Sequence, residues 1–434
     1  MAFFTLSPTL RRTLSNLTWL SADRVVRLFG AVFVNAWVIR HLGPEQNGVL
    51  SVAMAFVGMF TPLAVLGMDA IVIRDIVRSP EKKNNILGSA FVLRVAGAVL
   101  ALILSVSLFS IIRPGDSASR TLVVLLASGA LFQSFDVIDY WFQSQVQSKY
   151  TVYAKNTAFV VASVAKVICI LFDAPLVAFA AIAAGEFVLS AVGLVAMFRR
   201  QSNDVRSWFF TRDQAASLLV NSWPIVISDL AVFMQSRIDQ VMIGQYLSTA
   251  DVGYYAAAQK VSEPLSFIPM VIMSSVYPVI VQTKEWSENE FTRRMVNLYR
   301  LMFIISVLLC LPVSIFSKSI VTLLYGDRFG PTAMILAMVI WTRFYAFYGV
   351  ARSVYISSEN LFRHALLCSI AGVTVNVISN YLLIPRLGIV GSVVSAHLGF
   401  ITTIFIVDGI SNSTRNNFKA MIMGIFTFYR VKIN

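Results

Sequence analysis

The sequence predicts an all-α polytopic membrane protein with about twelve transmembrane helices in two pseudo-symmetric six-helix lobes. Composition, recurring apolar runs of membrane length, and a repeat at about half the chain length carry this expectation. Of the 434 residues, 57% are hydrophobic and 13% charged, whereas a soluble domain is about 45–50% apolar and about 25% charged. Mean hydropathy is +0.74. Most of the molecular surface therefore faces something other than water.

Apolar runs of about 18 to 25 residues, long enough to cross a hydrocarbon core of about 30 Å as helices, recur along the chain. They fall at 18–40, 46–68, 87–112, 121–142, 156–173, 175–198, 224–247, 252–281, 301–325, 331–356, 365–384 and 389–410. Backbone groups in lipid must be satisfied within the segment or in a closed barrel, so continuous runs of this length are helices. The run at 252–281 is long enough to bend at Pro264 or Pro269.

Charge gives orientation. Alternate connections, counted from the N-terminal tail, hold 21 Lys and Arg, while the other set holds 5: Arg40, Arg113, Arg120, Arg328 and Arg386. By the positive-inside rule both termini and the connections 74–84, 199–223 and 282–300 are expected to be cytoplasmic. The net charge of +13 is then mostly topological and gives no reason to expect nucleic acid as a partner. No small-residue cleavage site follows the first span, which is expected to stay in the membrane. Cys169, Cys310 and Cys368 are scattered through spans and read as buried thiols, with no disulfide, metal or cofactor expected. The non-cytoplasmic connections are too short to hold a catalytic domain, so transport is expected and enzyme activity is not. Trp208, Phe209, Phe210 and Trp286, set among charges, read as parts of interfacial helices on the cytoplasmic leaflet.

The stretches "IRHLGPEQNGVLSVA" (39–53) and "GQYLSTADVGYYAAA" (244–258) align without gaps at an offset of 205 residues, matching Leu42 to Leu247, Gly48 to Gly253 and Ala53 to Ala258. Each links the first two spans of a six-span half. That implies parallel lobes around a central cavity whose opening alternates between the two sides. The expected domains are an N-lobe at 1–198, an inter-lobe loop at 199–223, a C-lobe at 224–410 and a basic cytoplasmic tail at 411–434.

Ionisable residues within spans are costly in lipid and point to a wet interior. The candidates are Arg24, Arg27, Arg94, Asp136, Asp139, Lys166, Glu186, Asp229, Arg237, Asp239, Lys260, Glu263, Arg343 and Arg352. Arg24 and Arg27, three residues apart on one helical face, lie near the cytoplasmic end, where snorkelling to headgroups is the alternative. Lys260 and Glu263 share a face and could neutralise each other. Asp136, Asp139, Tyr140, Asp229 and Asp239 are candidates for sugar or ion contacts, because polar and aromatic residues mix on their helical stripes. Interhelical hydrogen bonding is the competing role for each.

The segments "RHLGPEQNGVLSVAMAFVGMF", "SRIDQVMIGQYLSTADVGYYAAAQKVSEP" and "YGDRFGPTAMILAMVIWTRFYAFYGVARSVYISSEN" resemble the O-antigen flippases (Wzx). These form part of the polysaccharide branch of the multidrug/oligosaccharidyl-lipid/polysaccharide (MOP) exporter superfamily. The "LGPEQxG" turn and the "DxVMIG" stretch are the most specific parts, and the resemblance covers residues 10 to 410. It implies a MATE-like fold with a positively charged lumen, which Arg24, Arg27, Arg237, Lys260, Arg343 and Arg352 would line. The implied substrate is an undecaprenyl-pyrophosphate-linked oligosaccharide repeat unit, moved from the cytoplasmic to the periplasmic leaflet. It also implies H+ or Na+ coupling or use of the membrane potential, and work beside an O-antigen polymerase and chain-length regulator. Capsule, colanic-acid-type or lipid II precursors are alternative substrates; a MATE-like drug exporter is a further alternative, disfavoured by the excess of cations.

Overall fold

A computed structural model describes residues 8–430; the side chains of residues 8–29, Ala31, Ser274 and Ser275 are outside the described set, and with them those of Arg24 and Arg27. Among the described residues every regular element is helical. The chain divides into two compact units, residues 1–41 with 52–233, and residues 42–51 with 234–434.

The first unit holds most of α1 (Pro8–Val65), then α2 (Asp69–Arg78), α3 (Lys83–Ile112), α4 (Ser117–Ala130), α5 (Val137–Ser144), α6 (Lys149–Leu171), α7 (Leu176–Arg200) and the start of α8 (Arg212–Tyr246). The second holds the end of α8, then α9 (Thr249–Ser262), α10 (Phe267–Trp286), α11 (Glu288–Ile315), α12 (Ser317–Tyr325), α13 (Gly330–Val339) and α14 (Thr342–Ser358). It closes with α15 (Phe362–Leu387), α16 (Ile389–Ile401), α17 (Val407–Ile410) and α18 (Arg415–Phe426).

Ten helices among the described residues are long and apolar enough to cross a membrane, or eleven if the bent pair Thr249–Met273 and Val276–Trp286 forms one span. The first two expected spans share α1, which turns at Gly43 (φ 69°, ψ 175°). That left-handed backbone suits glycine, and Pro44 restarts the helix without needing an N–H partner. In the long eighth span a 3₁₀ turn, Glu263–Ser266, begins at the residue before Pro264. A further bend of 46° follows Met273, whereas Pro269 sits inside α10 without a break.

The fourth span of each half is interrupted midway, and the two interruptions correspond. In the first unit a 3₁₀ turn, Leu131–Asp136, separates α4 from α5. In the second, α13 gives way to α14 through i→i+3 bonds, Arg343 N–H to Ile340 O at 3.0 Å and Phe344 N–H to Trp341 O at 3.1 Å. Carbonyls freed inside an apolar slab need other donors. Arg94 Nη2 donates to Gln133 O at 2.8 Å, and at the matching position, 205 residues on, His397 Nε2 lies 3.2 Å from Met338 O. Ser314 donates to Ala337 O at 2.8 Å and Cys310 Sγ to Ile340 O at 3.4 Å.

Three segments depart from expectation. The connection after α7 is shorter than 199–223, because α8 begins at Arg212. Trp208 to Thr211 form no interfacial helix. They lie as a strap along α3: Phe209 N–H donates to Asn84 O (3.3 Å) and Thr211 N–H to Ser89 Oγ (3.2 Å). Gly88 permits this, since a Cβ there would meet Phe209 O at 2.4 Å. Trp208 packs against Phe91 and Phe198 at ring separations of 5.5 and 5.8 Å. The basic tail contains α18, seated on α11: Tyr299 Oη donates to Asn417 Oδ1 (2.8 Å) and Arg300 Nη2 to Thr427 Oγ1 (2.7 Å).

Candidate functional site

The matched glycines of the repeat meet each other's segments within the second unit. A Cβ on Gly48 would fall 1.7 Å from Thr249 O, and one on Gly253 1.9 Å from Pro44 O. Asn47 Nδ2 closes the crossing by donating to Gly253 O at 3.0 Å. The capping box of Ser248 and Asp251 starts α9 at this crossing, with Ser248 N–H to Asp251 Oδ2 at 3.1 Å and Asp251 N–H to Ser248 Oγ at 3.2 Å.

From this crossing α8 and α9 run side by side, and residues mirrored about the turn face each other. Just past α9, Glu263 begins a cationic cluster. Arg237 Nη1 donates to Glu263 Oε1 at 3.2 Å, and Lys260 Nζ lies 3.4 Å from Glu263 Oε2. Arg343, just after the break between α13 and α14, donates to Ser266 Oγ at 3.0 Å, in the same 3₁₀ turn that begins with Glu263. Three of the six expected cations are thus gathered near one carboxylate, giving the group a formal charge of +2. Arg237, Lys260 and Glu263 remain 28%, 41% and 35% exposed, so an anion could reach them.

Deeper along α8, Asp239 is 2% exposed. Its Oδ2 accepts from Tyr255 Oη (2.8 Å), its mirror residue about Leu247, and its Oδ1 from Asn380 (2.8 Å) and Asn376 (3.1 Å). No cation pairs with Asp239 among the described residues. Asn380 Oδ1 and Gln235 Nε2, also buried in this region, lack partners among the described residues. A buried carboxylate held only by neutral donors, with an orphaned acceptor beside it, suits a proton or a small monovalent cation.

Arg352, the fourth described cation, is elsewhere and engaged. It grips Asp408 with two bonds, Nε to Oδ2 at 2.7 Å and Nη2 to Oδ1 at 2.6 Å, and both side chains are buried. His364 Nε2 lies 2.8 Å from Asp408 Oδ1, and Cys368 Sγ 3.1 Å from Arg352 Nη2. His364, Cys368 and Asp408 have the ligand types of a metal site. The guanidinium already occupies both Asp408 oxygens, however, and supplies the charge a metal would bring. Thr414 and Asn417 extend the network to α18.

In the first unit Arg94 is 1% exposed, donates to Tyr140 Oη, and approaches Asp136 Oδ2 at 3.9 Å. Lys155 bridges Asp136 Oδ1 (2.8 Å) and Asp139 Oδ2 (3.2 Å). Asp136, Asp139 and Tyr140 therefore share one network. Asp229 sits apart from it, beside Gly67, and has no ion pair or hydrogen bond among the described residues.

The sequence reading missed the central place of Glu263 and the role of Lys155, which lies just before the expected span 156–173. Hairpin symmetry is a signal for Lys155: it and Asp139 are equidistant from Gln147, as Asp239 and Tyr255 are from Leu247.

A family model described as "Polysaccharide biosynthesis protein" matches residues 14–284. The chain belongs to this family. A curated relative, the "Probable low-salt glycan biosynthesis flippase Agl15" of Haloferax volcanii, is 25% identical over 190 residues, which span 43% of this chain and 40% of that protein. Among solved structures, an inward-facing multidrug resistance MATE family transporter of the MOP superfamily matches with a TM-score of 0.71 at 14% identity, over 96% of this chain and 98% of that one. The lipid II flippase MurJ in an inward closed conformation matches with 0.67 at 11% identity, over 96% and 92%. The expected all-helical MATE-like fold is thereby borne out, and the family match bears out the expected resemblance to proteins of polysaccharide biosynthesis. The chain is a multi-pass membrane protein.

Proposed function

We propose that this protein is a lipid-linked glycan flippase. It carries undecaprenyl-pyrophosphate-linked O-antigen repeat units from the cytoplasmic to the periplasmic leaflet of a bacterial inner membrane by alternating access. The observation that carries this reading is the group of Arg237, Lys260 and Arg343 gathered near Glu263 with a net charge of +2.

A diphosphate bearing several sugars does not cross lipid unaided, because burying even one bare charge costs tens of kcal/mol in the Born limit. Arginines in a hydrated site replace the water around phosphate oxygens with charge-assisted, bidentate contacts. Glu263 holds the cations in position before substrate arrives and gives way to the more highly charged diphosphate. The polyprenyl chain stays in lipid while the headgroup moves. With the cytoplasm negative, outward movement of an anion is favourable by about 2.3 kcal/mol per charge per 100 mV. Asp239 and its amide partners are the candidate for H+ or Na+ coupling. The protein works as a carrier, not as an enzyme, and both termini lie in the cytoplasm.

The test is genetic and chemical. Deletion in a strain without a redundant flippase should abolish surface O-antigen and strand lipid-linked repeat units on the cytoplasmic leaflet. Wild-type surface O-antigen in such a strain would refute the assignment.

A further inference from the structure

The cationic cluster of the second unit leaves a cavity in the first unit unexplained. It holds about 250 Å³ and lies where the broken fourth span meets α6 and α7. The 3₁₀ turn lines it with Phe132, Gln133 and Asp136, and α6 with Lys155; α7 adds Glu186, Phe187 and Ser190. Pockets for drug-sized ligands run about 300–1,000 Å³, so this one is on the scale of a single sugar ring.

Its polar groups are under-used. Among the described residues the Gln133 side-chain amide and the Ser190 hydroxyl have no hydrogen-bond partner, and Glu186 has only Lys166, 4.0 Å away. Asp136 gives Oδ1 to Lys155 at 2.8 Å, while its Oδ2 stays 3.9 Å from Arg94, beyond hydrogen-bond reach. A network serving only to hold helices together satisfies its polar groups internally. Here an amide, a hydroxyl and two carboxylates keep spare capacity around a space that two phenylalanines also border. Hydroxyls on an apolar ring match that combination.

Charge selects among sugars. Asp136 and Glu186 both border the cavity, and the cations nearest them are engaged: Lys155 by Asp136 and Asp139, Lys166 by Glu186 at 4.0 Å, and Arg94 by Tyr140 Oη and Gln133 O. Carboxylates accept hydroxyl and N–H hydrogens and repel a further carboxylate. We propose that this cavity is a subsite for one uncharged or amino hexose of the glycan. Hydroxyl or N–H groups donate to Glu186 and Asp136, Gln133 and Ser190 complete the contacts, and the apolar ring face rests on Phe132 and Phe187. This rests on the glycan-flippase reading but uses none of the residues of the cationic cluster.

Saturation-transfer NMR on the purified full-length protein in detergent tests it. The probes are the methyl glycosides of glucose, galactose, mannose and N-acetylglucosamine, with methyl glucuronide as the acidic comparison. Transfer is expected to at least one neutral or N-acetylated glycoside and to be about fivefold weaker to the glucuronide, as a like-charge contact requires. At unchanged melting temperature, Ser190→Ala should weaken the neutral signal about fivefold, the scale of one hydrogen bond. Glu186→Gln should weaken it too and remove the discrimination against glucuronide. Absence of transfer to every glycoside, a glucuronide signal as strong as the neutral ones, or indifference to both substitutions would overturn the subsite. Flipping that fails in a transport assay while transfer persists would remove the flippase reading alone; normal flipping without transfer would remove only the subsite.

Discussion

Glu263 lies among three cations, and its removal gives a prediction opposite to simple loss of function. Glu263→Gln raises the formal charge of the cluster from +2 to +3 and deletes the anion that competes with substrate. Pyrophosphate should bind the purified variant about three- to tenfold more tightly at low salt, with the gain shrinking as salt screens it, while export slows because product is held. Calorimetric titration with pyrophosphate checks this; unchanged or weaker binding counts against the cluster as an anion site. Arg352 behaves differently. Arg352→Ala strands the buried Asp408 carboxylate and should lower stability by about 3–5 kcal/mol, read as a drop in melting temperature in detergent, whereas Arg237→Ala should leave melting nearly unchanged. From sequence alone these arginines look alike, since each is a cation within an apolar run. What separates them is the partner, and Asp408 stands 56 positions from Arg352, beyond any helical or hairpin periodicity. Glu263, three residues from Lys260, was legible as a partner; Arg343 completes the group only through tertiary packing.

Among the elements, the helix crossing at the repeat carries the sharpest expectation. Gly48→Ala and Gly253→Ala each drive a methyl group into a main-chain carbonyl, at 1.7 and 1.9 Å before relaxation. Overpacking of this kind costs about 1–3 kcal/mol or more, and both variants should melt earlier or fail to accumulate. Asn47→Ala, which only orphans Gly253 O, should cost about 1–3 kcal/mol. The repeat was legible because it needs identical residues, glycine above all, where backbones touch. The span pattern was legible because apolar length is local information. The broken fourth spans were not: Leu131–Asp136 and Ile340–Trp341 contain neither proline nor glycine. Donors from distant helices, Arg94 and His397 among them, make those breaks tolerable. The strap at Trp208 to Thr211 was hidden for a similar reason, since the space that receives it is created by Gly88, 120 residues earlier.

For the whole molecule, the two compact units, the multi-pass helical fold and the family membership agree with the proposed carrier of lipid-linked glycans, and the proposed orientation rests on the charge of the connections. Reporter fusions at Ser202 and after Asn434 should both report cytoplasm; a periplasmic signal at either would contradict the proposed orientation. The central claim is translocation of a diphosphate-linked glycan through the Arg237, Lys260 and Arg343 cluster. The most direct measurement is flipping of an undecaprenyl-pyrophosphate-linked oligosaccharide in proteoliposomes, followed by accessibility of its sugars to an impermeant glycosidase. Wild-type protein should bring the lumenal pool within reach of the enzyme, and an Arg237→Gln/Arg343→Gln variant, inserted and melting normally, should leave about half the sugars protected, as expected for lipid confined to the inner leaflet. Wild-type vesicles no different from protein-free vesicles, or a double variant as active as wild type, would contradict it.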